Sequence, residues 1–477
     1  MISLSFLLEG LVNETIKEEN IINIKANVEE SKEGDLLFLL NEKAIENYHK
    51  AQPKVSVIVS ERRISVLDGT KIYTANNVRR SMAIAYKRAY CNELSGIKFI
   101  GITGTNGKST TAMMIEKILK ESGYKTGLFG TGKIKMGDEI LSDKYYSMTT
   151  PPPQILYPYL KRMIDEGIKI VIMEVSSHAL IQERAAPISF DIGIFTNLSP
   201  EHLDYHKDME SYYKAKEKLF NKSKIVIINQ DDEYGNRAFL EHDNTIGCAI
   251  NSDADTKITD IEELEFSGTK FDYRSNKTFL RIHLKLAGPY NIYNAMLAIK
   301  AAEMLNVPSN AIKSGLESIE GFDGRFEIIK DDINIIIDYA HTLSAFTVLI
   351  KTLYSVKKQG QSIILVFGCG GERDKSKRGA MGEVAQRYAD KILVTNDNPR
   401  GENPMSIIND ITSKMNTLPM IVPDRAEAIR KAIQIAEDGD IVAIIGKGPE
   451  RYSITVDGYN YFNERDIINH ALGERHL

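Results

Sequence analysis

The chain has 477 residues, of which 43% are hydrophobic and 26% charged, and a formal net charge of −5. That length exceeds a single core and implies two to four domains. The balance excludes the basic footprint of a nucleic-acid binder, and no apolar run is long enough for a membrane span, so neither partner is expected. The cysteines, Cys91, Cys248 and Cys369, show neither metal spacing nor an even disulfide set and suit a reducing, cytoplasmic setting. The apolar run 2–8 lacks a basic lead and ends at Glu9, so it reads as neither signal peptide nor span. There is no internal repeat and no low-complexity tract.

Residues 1–95 read as a small α/β domain. Runs 34–40 and 55–59 have the apolar content of strands, and 77–88 repeats like a helix. No residue there declares chemistry. From Gly96 a second domain begins. The apolar run 97–102 leads through a glycine-rich turn containing Gly101, Gly104, Thr105, Asn106, Gly107, Lys108, Ser109 and Thr110 into a helix with Met113, Met114, Ile118 and Leu119 on one face. Strand, glycine turn and helix together cradle phosphate, because backbone N–H groups and the helix N-terminus face the anion. Lys108 then reaches the outer phosphates, and the Ser109 hydroxyl can ligate Mg²⁺. The usual first glycine is Ile102 here; a plain strand-to-helix turn is the alternative, and the Gly-Lys-Ser ending favours nucleotide binding.

Short strands are expected near 126–129, then a polar stretch to Tyr146, then a rigid loop, Thr149-Thr150 followed by three prolines. The apolar strand 169–173 ends in Glu174, followed by Ser176, Ser177 and His178. A carboxylate at a strand end beside a phosphate loop is a candidate Mg²⁺-directed group; elsewhere such a glutamate is commonly solvated or salt-bridged. Gln182 and Arg184 could hold an anionic substrate, though each alone would be an ordinary surface residue. After the strand 192–195, Glu201, His202, Asp204 and His206 share a short loop that could bind a cation or phosphate. At His206 a structural role is the better reading.

The segment 209–220 reads as a helix whose apolar face carries Met209, Tyr212, Tyr213, Ala215, Leu219 and Phe220. Lys214 and Lys218 point away from that face, and Lys216 sits in its middle. Such a lysine either snorkels or is kept for a purpose. Burial disfavours its charged form, and a neutral amine can take up CO₂ as a carbamate, a carboxylate-like metal ligand. From spacing alone snorkelling is the commoner case.

Residues 224–229 form another apolar strand, and 271–286 alternate like a sheet ribbon. A helix runs from Gly288 to Leu305 with Asn291 and Asn294 on its first turn; capping is a fair account of Asn291 and a poorer one of Asn294. Residues 321–327 resemble a hinge. Beyond it, strands at 334–338, 362–367, 391–394, 420–422 and 441–445 alternate with helices, which reads as a doubly wound parallel sheet. Each strand ends in a polar loop, which puts Asp338, His341, Arg373, Asp397, Asn398, Arg400, Asp424, Gly446 and Glu450 along one edge. The fold class is therefore α/β in three domains: a small N-terminal domain over 1–95, a central nucleotide-binding domain with a mostly parallel sheet over 96–324, and a Rossmann-like doubly wound domain over 325–477.

Taken in order, GITGTNGKSTT, TTPPP, MEVSSHAL, FTNLSPEHLDYH, YYKAKEKLF, GPYNIYN, GRFE, DYAHT, FGCGGERDKSKRG, DNPRGENP and GKGPE resemble the Mur ligase family, most closely its MurE branch. They extend from about residue 97 to the C-terminus. The resemblance implies an ATP-dependent amide ligase that adds an amino acid to UDP-N-acetylmuramoyl-L-alanyl-D-glutamate. It implies that Lys108 and the loop hold the ATP phosphates, with Ser109, Glu174, His202 and a carbamylated Lys216 around Mg²⁺. Asn294, Arg325 and Asp338 would contact adenosine, with His341 near the phosphates. Thr149, Thr150, Ser176, Gln182 and Arg184 would contact the muramoyl dipeptide. Arg373, Asp397, Asn398, Arg400, Gly446 and Glu450 would take the incoming amino acid. The DNPR loop resembles the type that adds meso-diaminopimelate, whose second carboxylate suits an arginine fork.

Three departures stand out: Val28 to Glu33 replaces the usual uridine-binding motif, Pro449 replaces the histidine of GKGHE, and Leu343 replaces the proline after DYAHT. The alternatives are a paralogue that adds L-lysine or uses another carboxylate acceptor, a folyl-polyglutamate or cyanophycin type, and a nucleotide-binding subunit without catalysis. The other partners expected are small molecules only, and a monomer is expected.

Overall fold

The computed structural model describes residues 1–91, 94–142 and 148–476. The end of the polar stretch, Tyr146, lies outside the described residues. Among them, no helix is long and apolar enough to cross a membrane.

Three sheets organise the chain. The first is four-stranded and parallel, in the order Ile24–Lys25, Leu36–Phe38, Val57–Ser60, Lys71–Thr74. Its alternate residues face opposite ways: Leu36, Phe38, Val57 and Val59 join one core, while Leu37 and Ile58 join another with Ile45 and Tyr48 of the helix Glu42–Ala51. The helix Val78–Tyr90 starts at Asn77, whose side chain accepts from the Arg80 N–H. Its Val78, Met82 and Ala85 share an apolar cluster with Leu156, Leu160 and Met163 of the helix Pro153–Asp165, which ties the first sheet to the second.

The second sheet has eleven strands. Thr126–Gly130, Ile170–Glu174, Lys98–Thr103, Phe190–Phe195, Ser223–Asn229, Thr245–Ala249 and Thr256–Glu263 run parallel. The ribbon at 271–286 is the antiparallel hairpin Thr269–Arg274 and Phe279–Leu284 at one edge. The other edge corrects the sequence reading: the start of the polar stretch is a hairpin, Lys133–Met136 with Glu139–Ser142. Ile134 and Met136 face the core, while Lys135 donates to the Glu116 carboxylate at 2.7 Å, so alternation was hidden behind lysines. A second correction concerns the segment 209–220: its α-helix ends at Glu217, and Phe220 belongs to a 3₁₀ turn, Phe220–Lys222.

The third sheet runs Glu327–Lys330, Asn334–Asp338, Ile441–Ile445, Ile363–Phe367, Lys391–Val394, Met420–Ile421, and all but the first strand are parallel. Helices Leu343–Val356, Ser376–Tyr388 and Pro404–Thr412 cover one face, and Arg425–Gln434 and Glu464–Arg475 the other. Parallel strands put all their C-terminal ends on one edge, and that edge faces the glycine turn of the central sheet.

Candidate active site

One cavity of about 510 Å³ lies between the central and third sheets. Thr105, Asn106, Gly107, Lys108, Ser109 and Thr110 form one wall; Arg373, Asp397, Asn398, Arg400, Gly446 and Glu450 form another. Thr149, Glu174, His202, Asn294, Arg325, Asp338 and His341 also line it. Thr150, Ser176, Gln182, Arg184, Gly104 and Lys216 do not.

The glycine turn is built from backbone that only glycine tolerates. Gly104 has φ 144° and Gly107 φ 85°, and a Cβ on Gly107 would meet Asn294 Oδ1 at 2.3 Å. Gly107 heads the helix Lys108–Glu121 and no side chain caps it, which leaves the first-turn N–H groups for an anion. Asn197, not singled out from sequence, braces the loop: its backbone carbonyl accepts from the Thr105 N–H at 2.9 Å and its side chain from the Asn106 N–H at 3.0 Å. The Lys108 ammonium donates to the carbonyls of Gly104 and Thr105 at 2.9 and 2.8 Å. Burial lowers its pKa to about 8, and the Glu174 carboxylate opposes that shift.

The Ser109 hydroxyl donates to Glu174 Oε2 at 2.8 Å. Glu174 also accepts from the Thr131 N–H and from the Thr131 hydroxyl, both at 3.0 Å. Arg325 donates to Ser109 Oγ at 3.2 Å, and its guanidinium lies over the Tyr339 ring. An alcohol and a carboxylate side by side next to the glycine turn fit a hard divalent cation. Thr131 was not read from sequence; its signal is a hydroxyl at the end of the strand next to that of Glu174. His202 stands at φ 56° with its ring against His178, and burial followed by His178 and Lys216 holds it down to about pKa 2.

Lys216 is 1% exposed. Its amine donates to the Gly104 carbonyl at 2.8 Å and lies 4.6 Å from the centre of the Tyr212 ring. Burial drives its pKa well below the ordinary lysine value, with Lys108 adding to the shift. Lys214 and Lys218 are exposed. Snorkelling is therefore excluded for Lys216. His206 is buried, with Nε2 2.9 Å from the Ser177 hydroxyl and its ring stacked on Tyr212.

Asn291 does not cap its helix: Gly288 occupies the N-cap, and Asn291 donates to the Ala287 carbonyl at 2.7 Å. Asn294 accepts from the Thr111 hydroxyl at 3.3 Å, which anchors its helix to the helix that follows the glycine turn. Asp338 accepts from the N–H groups of Phe326 and Ala340 at 2.6 and 2.7 Å, and burial raises its pKa. His341 places Nδ1 2.8 Å from the Tyr339 carbonyl oxygen.

Thr150, Ser176, Gln182 and Arg184 form one hydrogen-bonded patch outside the cavity. The Thr150 hydroxyl donates to the Glu174 carbonyl at 2.8 Å and accepts from the Ser176 N–H at 3.0 Å. Arg184 donates to the Thr150 carbonyl and to Gln182, so the guanidinium is already engaged.

On the far wall, Arg400 has φ 54° and donates to the carbonyls of Gly371 and Asn398 at 2.9 and 3.2 Å. Asn398 donates to Glu450 at 2.8 Å. Arg425, beside Asp424 on the same edge, is instead structural: it is buried and pairs with Glu464 at 2.7 Å. The walls touch directly. Asn106 donates to Ser344 at 3.2 Å, and Glu201 pairs with Lys377 at 3.1 Å.

Comparison with known proteins agrees with this architecture. The Mur ligase middle domain matches residues 102–302, and the Mur ligase glutamate ligase domain matches 324–448. A UDP-N-acetylmuramoyl-L-alanyl-D-glutamate--2,6-diaminopimelate ligase from Clostridium perfringens is 36% identical over 98% of this chain and 99% of its own. The Clostridium tetani protein of the same name is 38% identical over 96% of each. A solved structure of that name is 25% identical, covers 100% of this chain and 99% of its own, and has a TM-score of 0.69. MurF ligase from Thermotoga maritima in complex with ADP, 16% identical with a TM-score of 0.62 over 95% of this chain and 97% of its own, shares the fold. With a glycine turn facing a doubly wound domain across one cavity, and with relatives that match 96% or more of its length, the chain belongs to the Mur ligase family.

Proposed function

We propose that this chain is an ATP-dependent amide ligase that joins meso-diaminopimelate to UDP-N-acetylmuramoyl-L-alanyl-D-glutamate in peptidoglycan precursor synthesis. The observation that carries the reading is one cavity walled on one side by Lys108 and Ser109 and on the other by Arg400 and Glu450. The lobes take the boundaries 1–95, 96–324 and 325–477.

The glycine turn and Lys108 bind the ATP phosphates. The glutamyl carboxylate of the acceptor attacks the γ-phosphorus, ADP leaves, and an acyl phosphate forms. The amine of the amino acid attacks that carbonyl, phosphate leaves, and the amine proton is released. Positioning and charge neutralisation supply most of the rate. Ser109, Glu174 and His202 would hold Mg²⁺, which supplies charge neutralisation at the phosphates. Lys216 would carry a carbamate, consistent with an amine whose charged form burial disfavours. Asn294, Arg325 and Asp338 hold the adenosine. Thr149, Thr150, Ser176, Gln182 and Arg184 orient the acceptor from the Glu174 side. Arg400 takes the distal carboxylate of the amino acid and Glu450 an ammonium. The enzyme acts in the cytoplasm as a monomer.

Mass spectrometry of products from ATP, the UDP-linked dipeptide and an equimolar mixture of diaminopimelate and L-lysine tests this. The expected product carries diaminopimelate, with one ADP released per bond. A lysine adduct, or no adduct with this acceptor, overturns it.

A further inference from the structure

Behind the DNPR loop sits a lysine that the mechanism above leaves unused. Lys447 follows the strand Ile441–Ile445 in a turn flanked by Gly446 at φ 124° and Gly448 at φ 50°. It is 1% exposed. Its ammonium donates to Asn398 Oδ1 and to the Tyr452 carbonyl, each at 2.8 Å. It lies 3.5 Å from Asp397 Oδ1 and 3.7 Å from Glu450 Oε2, over the rings of Tyr452 and Phe462.

Two consequences follow from this placement. Asn398 Oδ1 accepts from Lys447 and, at 2.9 Å, from the Ile454 N–H, so both donors are on the oxygen side of the amide. The amide cannot flip without facing an ammonium with its own NH₂, and its Nδ2 is thereby committed to Glu450 Oε2. The charge count is the second consequence. Asp397 and Glu450 share one buried ammonium, that of Lys447. Lys447 leaves the pair one negative charge in surplus, the charge that one substrate ammonium matches. Arg400 has no carboxylate within 4.0 Å among the described residues, so a cation remains free for a carboxylate.

We infer that Lys447 is a positioning and specificity-determining residue: it orients Asn398 and Glu450 and sets the charge of the wall to accept an amino acid bearing both a second ammonium and a second carboxylate. This rests on the reading of that wall as the amino-acid site.

The test is Lys447→Met, with KM measured separately for amino acid and for ATP. KM for diaminopimelate is expected to rise about ten- to a hundredfold, with KM for ATP within about twofold. Equal rises in both, or no rise in either, would overturn the inference. A readout on the free protein separates this from the functional reading: in ¹³C-Glu-labelled protein, the Glu450 carboxyl is expected to titrate at higher pH in Lys447→Met than in wild type. An unchanged Glu450 titration overturns the inference whatever the substrate proves to be, while a wild-type enzyme that ignores diaminopimelate but shows the shifted titration overturns only the substrate. If Lys447→Met does not fold, Lys447→Met with Asp397→Asn keeps the net charge of the cluster and is read the same way, against Asp397→Asn alone.

Discussion

Lys108 and Lys216 rest their amines on the same oxygen, the Gly104 carbonyl, at 2.9 and 2.8 Å. Two ammonium groups on one carbonyl repel each other, and burial already disfavours charge on both. The arrangement is relieved if the deeper amine is neutral, and more so if it becomes an anion. Lys216→Ala should therefore lose at least about a hundredfold in turnover, the scale of one preorganised charge contact. High concentrations of a small carboxylate salt should restore part of it. A ¹³C carbamate resonance in wild-type protein under labelled bicarbonate, absent in Lys216→Ala, checks the same point without turnover.

Thr131 holds Glu174 by two bonds, one from its N–H and one from its hydroxyl. Thr131→Val removes only the second. Losing one hydrogen bond to a charged group costs about 1.5–3 kcal/mol, which should appear as a raised Mg²⁺ requirement at saturating ATP. Thr131→Ser should behave as wild type. A Mg²⁺ titration of both variants decides it.

The divide between what sequence revealed and what it hid is one of range. The strands Asn334–Asp338, Lys391–Val394 and Ile441–Ile445 follow from apolar runs between polar loops, and one helical wheel puts Lys216 in the middle of an apolar face, although spacing alone favours snorkelling over the burial that the fold shows. Those signals are local. Thr131 meets Glu174 across 43 residues, Lys447 meets Asn398 across 49, and Lys377 meets Glu201 across 176. Periodicity carries no information about such pairs. Arg184 shows the same limit: its type and place suggest a contact to an anionic substrate, and the hydrogen bonds to the Thr150 carbonyl and Gln182 that orient its guanidinium appear only in the fold.

Arg400 sits in left-handed backbone at φ 54°, held by its N–H to the Ile454 carbonyl and by its side chain to two carbonyls. Carbonyl partners are readily exchanged for a carboxylate, which binds a guanidinium more strongly. Arg400→Ala should lower kcat/KM for diaminopimelate roughly ten- to a hundredfold and gain little with L-lysine. Parallel assays with both amino acids measure this.

Asp232 lines the cavity and accepts from the N–H groups of Leu198 and Gly235 at 3.1 and 3.0 Å. Burial nevertheless raises its pKa from 3.8 to about 6. The folded carboxyl keeps its proton to about pH 6 while the unfolded one releases it near 3.8, so across that window the folded state binds more protons and stability declines as pH rises. Asp232→Asn cannot ionise. Relative to wild type it should gain on the order of 1 kcal/mol between pH 4 and pH 7, after solvent screening. Urea unfolding at both pH values reads the difference.

Glu201 and Lys377 are 8% and 11% exposed in their side chains and join the central lobe to the third. Burial raises the Glu201 pKa, and the Lys377 ammonium opposes the shift. Removing one partner strands the other, a loss of about 3–5 kcal/mol when no water can reach it. Parting of the lobes would solvate the stranded charge and avoid that loss. Glu201→Gln and Lys377→Met should each enlarge the radius of gyration in solution scattering and lower turnover, while the double variant should lose less than the sum, since neither charge is left alone. Scattering indistinguishable from wild type in both single variants would mean that the Asn106–Ser344 contact holds the lobes without this pair.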